Sequence, residues 1–339
     1  MNGVLALAKP AGPTSHDMVA LVRRLTGTRR VGHGGTLDPF ASGVLPIFLG
    51  AATRMLEYHL GDTKEYRATV CFGAASATDD LEGELTPADG PTPTRQQVEG
   101  ALSAFRGTIS QVPPAYSAVK VAGRRAYALA RAGLVAQLQP REVTISRLEV
   151  ETWDDSDPNR PIAILDVECS AGTYVRALAR DLGQAVGSAA YLGALVRTRS
   201  GQFTLEAAHP VDEVRRAAAG DQGAVADFLL PSDWGLDRLP AVVLEPDQVA
   251  AVARGQFVRP PPAGPTVADP DTPIRLLDPS GRLVGIALLR DGRLAPDKVL
   301  IGAGATSDVP REPVEAALLA ERDPEPDVGE LWTDVYRTA

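Results

Sequence analysis

The pattern of apolar and polar positions predicts several β-strands. Residues 4–8 and 44–49 are continuous apolar runs with the length of a buried strand. Residues 66–72 alternate between apolar and polar types, which is the period of a half-buried strand. Residues 143–153 and 162–169 flank the turn-forming sequence D-D-S-D-P-N, so we expect two further strands joined as a hairpin or at a sheet edge.

Apolar residues recur at helical spacing in three other segments. Ser15 precedes an amphipathic pattern that ends at Gly27, and Thr94 can cap a second helix. A third helix is expected to open at Gly172 and to close near Gly187. Because runs of strands are separated by isolated helices rather than by regular strand–helix alternation, we expect an α+β domain with a mixed or antiparallel sheet.

A change of composition near residue 239 divides the chain. Its 339 residues are enough for about two domains. Beyond the change, proline-rich loops separate short apolar runs, which predict a small β domain with strands at residues 274–277, 283–289 and 299–301. The C-terminal segment is acidic and contains prolines, so we expect it to be mobile. The expected first domain, β domain and tail span residues 1–238, 239–302 and 303–339.

Cysteine content and hydropathy exclude several classes of protein. Cys71 and Cys169 are the two cysteines and form no C-x-x-C pair, so neither a disulfide framework nor a cysteine zinc site is indicated. No apolar run approaches the roughly 18 residues of a membrane helix, and the first run is too short for a signal peptide. We therefore expect a cytoplasmic protein that is neither exported nor bound to a membrane.

The charge is unevenly distributed. The formal net charge of −9 argues against a polyanionic partner, but nine acidic residues and three arginines lie in residues 303–339. The rest of the chain is close to neutral and contains several arginine clusters, such as Arg23-Arg24 and Arg29-Arg30. Clusters that share one face would form an RNA-binding surface, and the alternative is a set of scattered, solvated arginines.

The glycine-rich segment V-G-H-G-G-T-L-D-P-F-A-S-G, residues 31–43, contains the main candidates for chemistry. Asp38 lies between glycine turns and precedes a proline, so the loop can present its carboxylate to a pocket; alternatively, Asp38 begins a turn or caps a short helix. His33 lies nearby, but the four histidines show no paired-ligand spacing, so we predict no metal site. We expect His33 to be structural or to contact a base.

The extended segment V-G-H-G-G-T-L-D-P-F-A-S-G-V-L-P-I-F-L-G-A-A-T-R resembles the catalytic signature of the TruB family, the bacterial tRNA pseudouridine-55 synthases. Four further blocks agree in order: L-A-K-P-A-G-P-T-S, K-E-Y-R-A, V-P-P-A-Y-S-A-V-K and C-S-A-G-T-Y-V-R. The resemblance covers residues 3 to about 205. Residues 283–300 are similar to the end of the family's C-terminal PUA-like RNA-binding domain.

The resemblance implies a fold and an activity. The expected fold is a pseudouridine synthase domain, with a mixed, largely antiparallel central sheet flanked by helices, followed by a small PUA-like β domain. The family isomerises a T-loop uridine of tRNA: it cleaves the N-glycosidic bond, turns the base and rejoins it through C5. No cofactor is implied. The expected partner is the T-arm of tRNA, bound by a monomer that needs no other protein.

The resemblance also implies roles for individual residues. Asp38 is expected to be the catalytic carboxylate, Arg176 its ion-pair partner, and Tyr66 the tyrosine that stacks on the target base. His33 is expected near the position that the flipped base leaves. The other expected substrate-binding residues are Lys9, Tyr116 and Lys120, by phosphate contact or as pocket structure, together with Arg124 and Arg125 in an insertion over residues 121–140 that closes on the RNA.

Three positions depart from the family pattern, and three alternative functions stay open. The departures are Gly34, Tyr191 and Val196, and they bear on RNA contacts near Arg197 and Arg199. One alternative is a non-catalytic RNA-binding protein on the same scaffold. Another is an RNA-guided rRNA synthase that works with partner proteins. The third is a glycosidase that pairs Asp38 with Asp79 or Asp80.

Overall fold

The computed structural model describes residues 1–117, 119–121, 124–132, 134, 137–261 and 269–301. The predicted tail, residues 303–339, and residues 262–268 in a proline-rich stretch lie outside the described residues. In the described part, no helix is long and apolar enough to cross a membrane.

The large domain contains strands and helices in an irregular order. Its strands are β1 (Gly3–Lys9), β2 (Val31–His33), β3 (Ser42–Leu49), β4 (Lys64–Phe72), β5 (Ala74–Ser76), β6 (Leu85–Pro87), β7 (Gly107–Gln111), β8 (Lys120–Val121), β9 (Arg124–Arg125), β10 (Arg141–Asp154), β11 (Ile162–Cys169), β12 (Ala190–Ser200), β13 (Phe203–Thr204) and β14 (His209–Pro210). Its helices are α1 (Ser15–Thr26), α2 (Leu56–His59), α3 (Arg95–Ala101), α4 (Ala126–Arg131), α5 (Val175–Ala185) and α6 (Val211–Gly220). Short 3₁₀ turns span Gly50–Met55, Leu102–Phe105 and Gln222–Phe228.

One sheet organises this domain, with the strand order β14-β1-β3-β12-β4-β11-β10-β7. The β1–β14 and β3–β12 pairs are parallel and the other neighbours on this path are antiparallel. Helices α1 and α5 pack their apolar faces on the sheet, for example through Val22 and Leu182, which are fully buried. The expected α+β class with a mixed, largely antiparallel sheet is confirmed.

Local capping explains where the helices begin. Thr14 caps α1, and its side chain and that of Asp17 form a reciprocal capping box. Ser15, predicted to precede this helix, is instead its first residue, because Thr14 is the N-cap; the Ser15 hydroxyl binds the backbone of Leu37. Helix α5 begins three residues later than predicted, since Gly172 has a φ of +86° and belongs to the preceding turn.

The C-terminal part forms a small sheet, with β15 (Ala241–Val243), α7 (Pro246–Ala253), β16 (Ile274–Leu277), β17 (Leu283–Arg290) and β18 (Arg293–Val299), in the order β15-β16-β17-β18. The prediction of a strand at residues 299–301 was wrong. A tight turn at Asp291-Gly292, with both φ values positive, starts β18 at Arg293. The buried Arg275 donates to Asp233 at 2.8 Å and so ties this sheet to the large domain.

Candidate active site

Asp38 and Arg176 meet in the structure although 138 positions separate them in the sequence. Asp38 lies in the loop between β2 and β3, where the Ala41 N–H donates to its carbonyl at 3.1 Å, which makes it the first residue of a turn. Arg176 is the second residue of α5. Its Nε lies 3.0 Å from Asp38 Oδ2, an ion pair in which the N–H is not aligned as a hydrogen bond.

Arg176 is held from several sides. Its Nη1 donates to Asp80 Oδ2 at 3.1 Å and to the Thr78 carbonyl at 3.2 Å, and its Nη2 donates to the Tyr116 carbonyl at 3.0 Å. The residue is only 5% exposed. A guanidinium with this many fixed acceptors has little rotational freedom, so its remaining edge points at Asp38.

The surroundings of Asp38 act on its carboxyl in opposite directions. Burial raises its pKa, the Arg176 guanidinium opposes that rise, the Asp80 carboxylate adds to it, and Lys9 makes a smaller opposing contribution. The pKa of Asp38 is therefore above the ordinary value for an aspartate. Arg176 limits the rise and favours the ionised form that nucleophilic or general-base chemistry requires.

Lys9, the last residue of β1, donates hydrogen bonds to backbone carbonyls around the Asp38 loop. It is 1% exposed, and its Nζ donates to the carbonyls of Pro10, Pro39 and Ala41 at 2.9, 3.2 and 2.6 Å. Burial lowers its pKa to about 8. Because its ammonium donors are directed to backbone carbonyls, Lys9 has the geometry of pocket structure rather than of phosphate contact.

Ser15 and Arg197 hold the rest of the loop. The Ser15 hydroxyl accepts from the Leu37 N–H at 2.9 Å and donates to the Leu37 carbonyl at 3.0 Å. Arg197, on β12, is 1% exposed and donates to the carbonyls of Gly35, Thr36 and Val44. The conformation of the loop on both sides of Asp38 is thus fixed by buried side-chain donors.

Gly43 allows the loop and β12 to approach each other. It has a φ of +115°, and a Cβ atom there would lie 2.3 Å from the Arg197 carbonyl oxygen. A side chain at this position would push β12 away from β3. The final glycine of the motif is therefore required by close backbone packing.

Tyr66 lies on β4, next to the strands that carry the other groups. Its neighbours in register are Arg197 on β12 and Val167 on β11. Burial raises the pKa of the phenol, the Arg197 guanidinium opposes the rise, and the Asp38 carboxylate adds to it. The phenol is therefore protonated at neutral pH and close enough to interact electrostatically with Asp38.

The remaining predicted residues surround this centre to different extents. His33 ends β2, and its ring meets the ring of exposed His16 edge to face, with centroids 5.4 Å apart. Burial lowers the pKa of His33, so its imidazole is neutral at pH 7. Tyr116 contributes its carbonyl to Arg176. Arg124 is exposed on the β8–β9 hairpin. The side chains of Lys120 and Arg125 lie outside the described part of the structure.

Three residues have structural roles that the sequence patterns do not indicate. The sequence indicates Asp80 as a turn residue or a glycosidase carboxylate, Arg197 as a residue near RNA contacts, and Ser15 as the start of a helix. Ser15 belongs to the K-P-A-G-P-T-S block and could have been assigned from it. No periodicity or spacing marks Asp80 or Arg197, because their contacts join distant strands. Among the described residues no cluster of potential metal ligands occurs.

Comparison with known proteins agrees with the geometry. "TruB family pseudouridylate synthase (N terminal domain)" matches residues 23–175, "tRNA pseudouridylate synthase B C-terminal domain" matches residues 176–237, and "Pseudouridine synthase II TruB, C-terminal" matches residues 240–300. The tRNA pseudouridine synthase B of Bradyrhizobium diazoefficiens is 40% identical over 91% of this chain and 88% of its own length. That of Gloeobacter violaceus is 49% identical over 76% and 87%.

A solved structure shares the fold. The structure of an H/ACA RNP bound to a substrate RNA containing 2′-deoxyuridine aligns with a TM-score of 0.65 and 25% identity, over 88% of this chain and 85% of that chain. The expected pseudouridine synthase fold is confirmed by this alignment. On the combined evidence of sequence, site and fold, the chain belongs to the TruB family of pseudouridine synthases.

Proposed function

We propose that this protein isomerises a T-loop uridine of tRNA, position 55, to pseudouridine. Asp38 acts as the essential carboxylate, the N-glycosidic bond is cleaved, and the base is rejoined to ribose through C5. Two findings support the proposal: membership of the TruB family and the ion pair between Asp38 and Arg176. The names of the relatives, tRNA pseudouridine synthase B, point to the substrate.

The observation that carries the proposal is the difference in exposure between two carboxylates on the same guanidinium. The side chain of Asp38 is 35% exposed, whereas that of Asp80 is 4% exposed. Asp38 can therefore be reached by a substrate, while Asp80 is enclosed and holds Arg176 in place. A carboxylate that is oriented on one side and open on the other suits attack on a base or on a glycosidic carbon.

A uridine inside a folded T-arm must leave its stack to reach Asp38. Base flipping costs a few kcal/mol and requires a pocket that receives the base. Tyr66 is a half-buried aromatic residue that interacts electrostatically with Asp38, and half-buried His33 ends the strand before the Asp38 loop. In this proposal Tyr66 stacks on the flipped uracil and His33 lies near the position that the base has left.

Exposed arginines supply the charge that tRNA binding needs. Arg24, Arg29, Arg30 and Arg124 are exposed and have no acidic partner within the described ranges. Their charges are available to neutralise phosphates even though the whole chain is acidic. We propose residues 1–238 as the catalytic domain and residues 239–302 as the RNA-binding β domain, with the insertion at 121–140 closing on the RNA.

The glycosidase alternative has less support. It requires a second carboxyl group that can donate a proton to a leaving group. Asp80 is enclosed and bound to Arg176, and Asp79 accepts from Arg180 at 2.8 Å. Both candidates are therefore occupied by arginines, which leaves Asp38 as the accessible carboxylate of the three.

Tritium release from tRNA labelled at C5 of uridine tests the proposal. Asp38→Asn keeps the size of the side chain and removes its charge. We expect release by the wild-type protein alone, on free tRNA without partner proteins, with the product mapped to the T-loop. Release by both proteins would overturn the role of Asp38. Binding of tRNA without release by either would favour the non-catalytic alternative, and dependence on a guide RNA would favour the rRNA synthase alternative.

A further inference from the structure

Gln111 is a buried polar residue that the proposed mechanism does not use. It ends β7 and is 1% exposed. Its Nε2 donates to the Tyr174 carbonyl at 3.0 Å, and its Oε1 accepts from the Tyr174 N–H at 2.8 Å. One side-chain amide thus satisfies both backbone groups of a single residue 63 positions away.

Tyr174 is the N-cap residue of α5, and Arg176 follows two positions later. The Tyr174 side chain makes no capping hydrogen bond. Gln111 therefore holds, from outside the helix, both backbone groups of its N-cap residue, whose carbonyl also accepts from the Leu178 N–H at 3.1 Å. Arg176 is the second residue of this helix. The position of Gln111 therefore determines, through Tyr174, where the side chain of Arg176 leaves the backbone.

Arg141 contacts the ring of the same tyrosine. It pairs in register with Gln111 across the β7–β10 ladder, and its guanidinium carbon lies 4.5 Å from the centroid of the Tyr174 ring. This is the distance of a cation–π contact. Both residues thus contact Tyr174: Gln111 binds its backbone and Arg141 packs on its ring.

The Gln111–Arg141 pair also marks where the segment 112–140 leaves the sheet. Pairing between β7 and β10 ends at these two residues, and the chain between them contains Tyr116 and the β8–β9 hairpin. The Tyr116 carbonyl accepts from Arg176. Both ends of the connection therefore converge on the same helix turn.

We propose that Gln111 and Arg141 are positioning residues that hold Arg176 against Asp38, and that they link this ion pair to the base of the segment 112–140. The proposal deepens the proposed function and rests on it. If the grip on Tyr174 is lost, the first turn of α5 shifts and Arg176 moves away from Asp38. Misplacement of a catalytic group by about 1 Å can cost about 100-fold in rate.

The test compares Gln111→Met, which keeps the size but loses both hydrogen bonds, with Gln184→Met, an exposed glutamine on the same helix. We expect Gln111→Met to lower kcat for tritium release by about 10- to 100-fold, with tRNA affinity within about twofold of the wild type. The acid limb of its kcat–pH profile should move to higher pH, because Arg176 no longer opposes the rise in the pKa of Asp38. Gln184→Met should match the wild type in all three measurements.

A second variant separates positioning from folding. In Gln111→Glu the carboxyl group can donate to the Tyr174 carbonyl only while it is protonated. Its activity relative to the wild type should therefore fall as the pH rises, whereas the relative activity of Gln111→Met should rise. The same variant decides the question if Gln111→Met does not fold. Arg141→Met, combined with Gln111→Met, should cost less than the sum of the two single effects, as expected for one unit.

The outcomes that would overturn the inference are specific. If folded Gln111→Met has the kcat and the acid limb of the wild type, the inference is wrong. If its kcat is lowered but its acid limb has not moved, Gln111 has a purely structural role. Failure of the proposed function is distinguishable, because then the wild type itself releases no tritium. In that case the pKa of Asp38, measured by carboxyl ¹³C NMR, still reports the position of Arg176. An unchanged pKa in both Gln111 variants would reject the inference without any activity assay.

Discussion

Asp38 and Asp80 lie on two edges of one guanidinium group. Arg176 places Nε 3.0 Å from Asp38 Oδ2 and Nη1 3.1 Å from Asp80 Oδ2. One positive charge thus binds two carboxylates, and the Asp80 carboxylate raises the pKa of Asp38. Only Asp38 is open to a substrate, so Asp80 tunes and orients the site without entering it.

Asp80→Asn should shift the acid limb of kcat to lower pH, because the Asp80 charge raises the pKa of Asp38 and would be gone. We also expect a lower plateau in kcat, since a neutral amide holds Arg176 less firmly. A pH series of tritium release measures both effects. Asp79→Asn is the matched control, because Asp79 binds Arg180. An acid limb that moves to higher pH in Asp80→Asn would contradict the account.

Arg176→Met should reduce kcat by more than about 100-fold and destabilise the protein by about 3–5 kcal/mol, because it leaves Asp80 as an uncompensated buried charge. Adding Asp80→Asn removes that charge. The double variant should regain much of the free energy of unfolding, measured in urea, but none of the activity. Equal stability of the single and double variants would contradict a destabilising buried charge at Asp80.

Lys9→Met should change how stability depends on pH. Burial lowers the pKa of Lys9 to about 8 in the folded state, against 10.5 for an unperturbed lysine. Between these values the unfolded state binds more protons, so the wild type gains stability with rising pH and Lys9→Met lacks that gain. Urea unfolding at pH 7 to 10.5 measures the difference.

Lys298→Met provides a control of opposite sign. Hydrogen bonds to Asp297 and Glu57 raise the pKa of Lys298, so its contribution to stability is present below the unfolded pKa and is lost only at higher pH. The stability gain over the range 8 to 10.5 should persist in this variant. If the stability gain disappears in Lys298→Met, the gain does not come from Lys9.

Arg197→Lys should lower kcat and the free energy of unfolding. A lysine cannot reach the carbonyls of Gly35, Thr36 and Val44 together, and the buried Val44 carbonyl, left without this donor, would cost about 1–3 kcal/mol. Arg199→Lys is the control on the same strand, where the side chain is 38% exposed and binds Glu65. Similar losses in the two variants would argue against a specific role for Arg197 in holding the loop.

Replacing Arg24, Arg29 and Arg30 by glutamine should weaken tRNA binding and reduce its dependence on salt. Each lost phosphate contact lowers the slope of log K against log salt by about 1. Filter binding at salt concentrations from about 50 to about 300 mM measures the slope. Arg95→Gln is the control, because Arg95 binds Glu99 on the same helix. An unchanged slope in the triple variant would show that these three arginines do not contact the RNA.

The sequence predicted what short-range patterns and motif blocks encode. Alternation predicted β4, the turn sequence D-D-S-D-P-N predicted the strands on either side of it, and the motif blocks predicted that Asp38 and Arg176 would meet. Roles that depend on long-range geometry could not be predicted. Asp79 and Asp80 look like turn residues, and Asp79 does adopt a turn conformation with a φ of +62°, but Asp80 points inward to Arg176. Such a change of direction within two residues leaves no trace in hydrophobic periodicity.

The place of β12 in the sheet has a consequence for biosynthesis. β3, beside the Asp38 loop, and β4, with Tyr66, are not neighbours; β12 inserts between them. About 120 residues separate the end of β4 from the start of β12, which at about 5–20 residues per second means on the order of ten seconds of translation. Throughout that interval a nascent chain exposes two unpaired strand edges, a state prone to aggregation. We therefore expect chaperone dependence in the cell to peak before residue 190 leaves the ribosome.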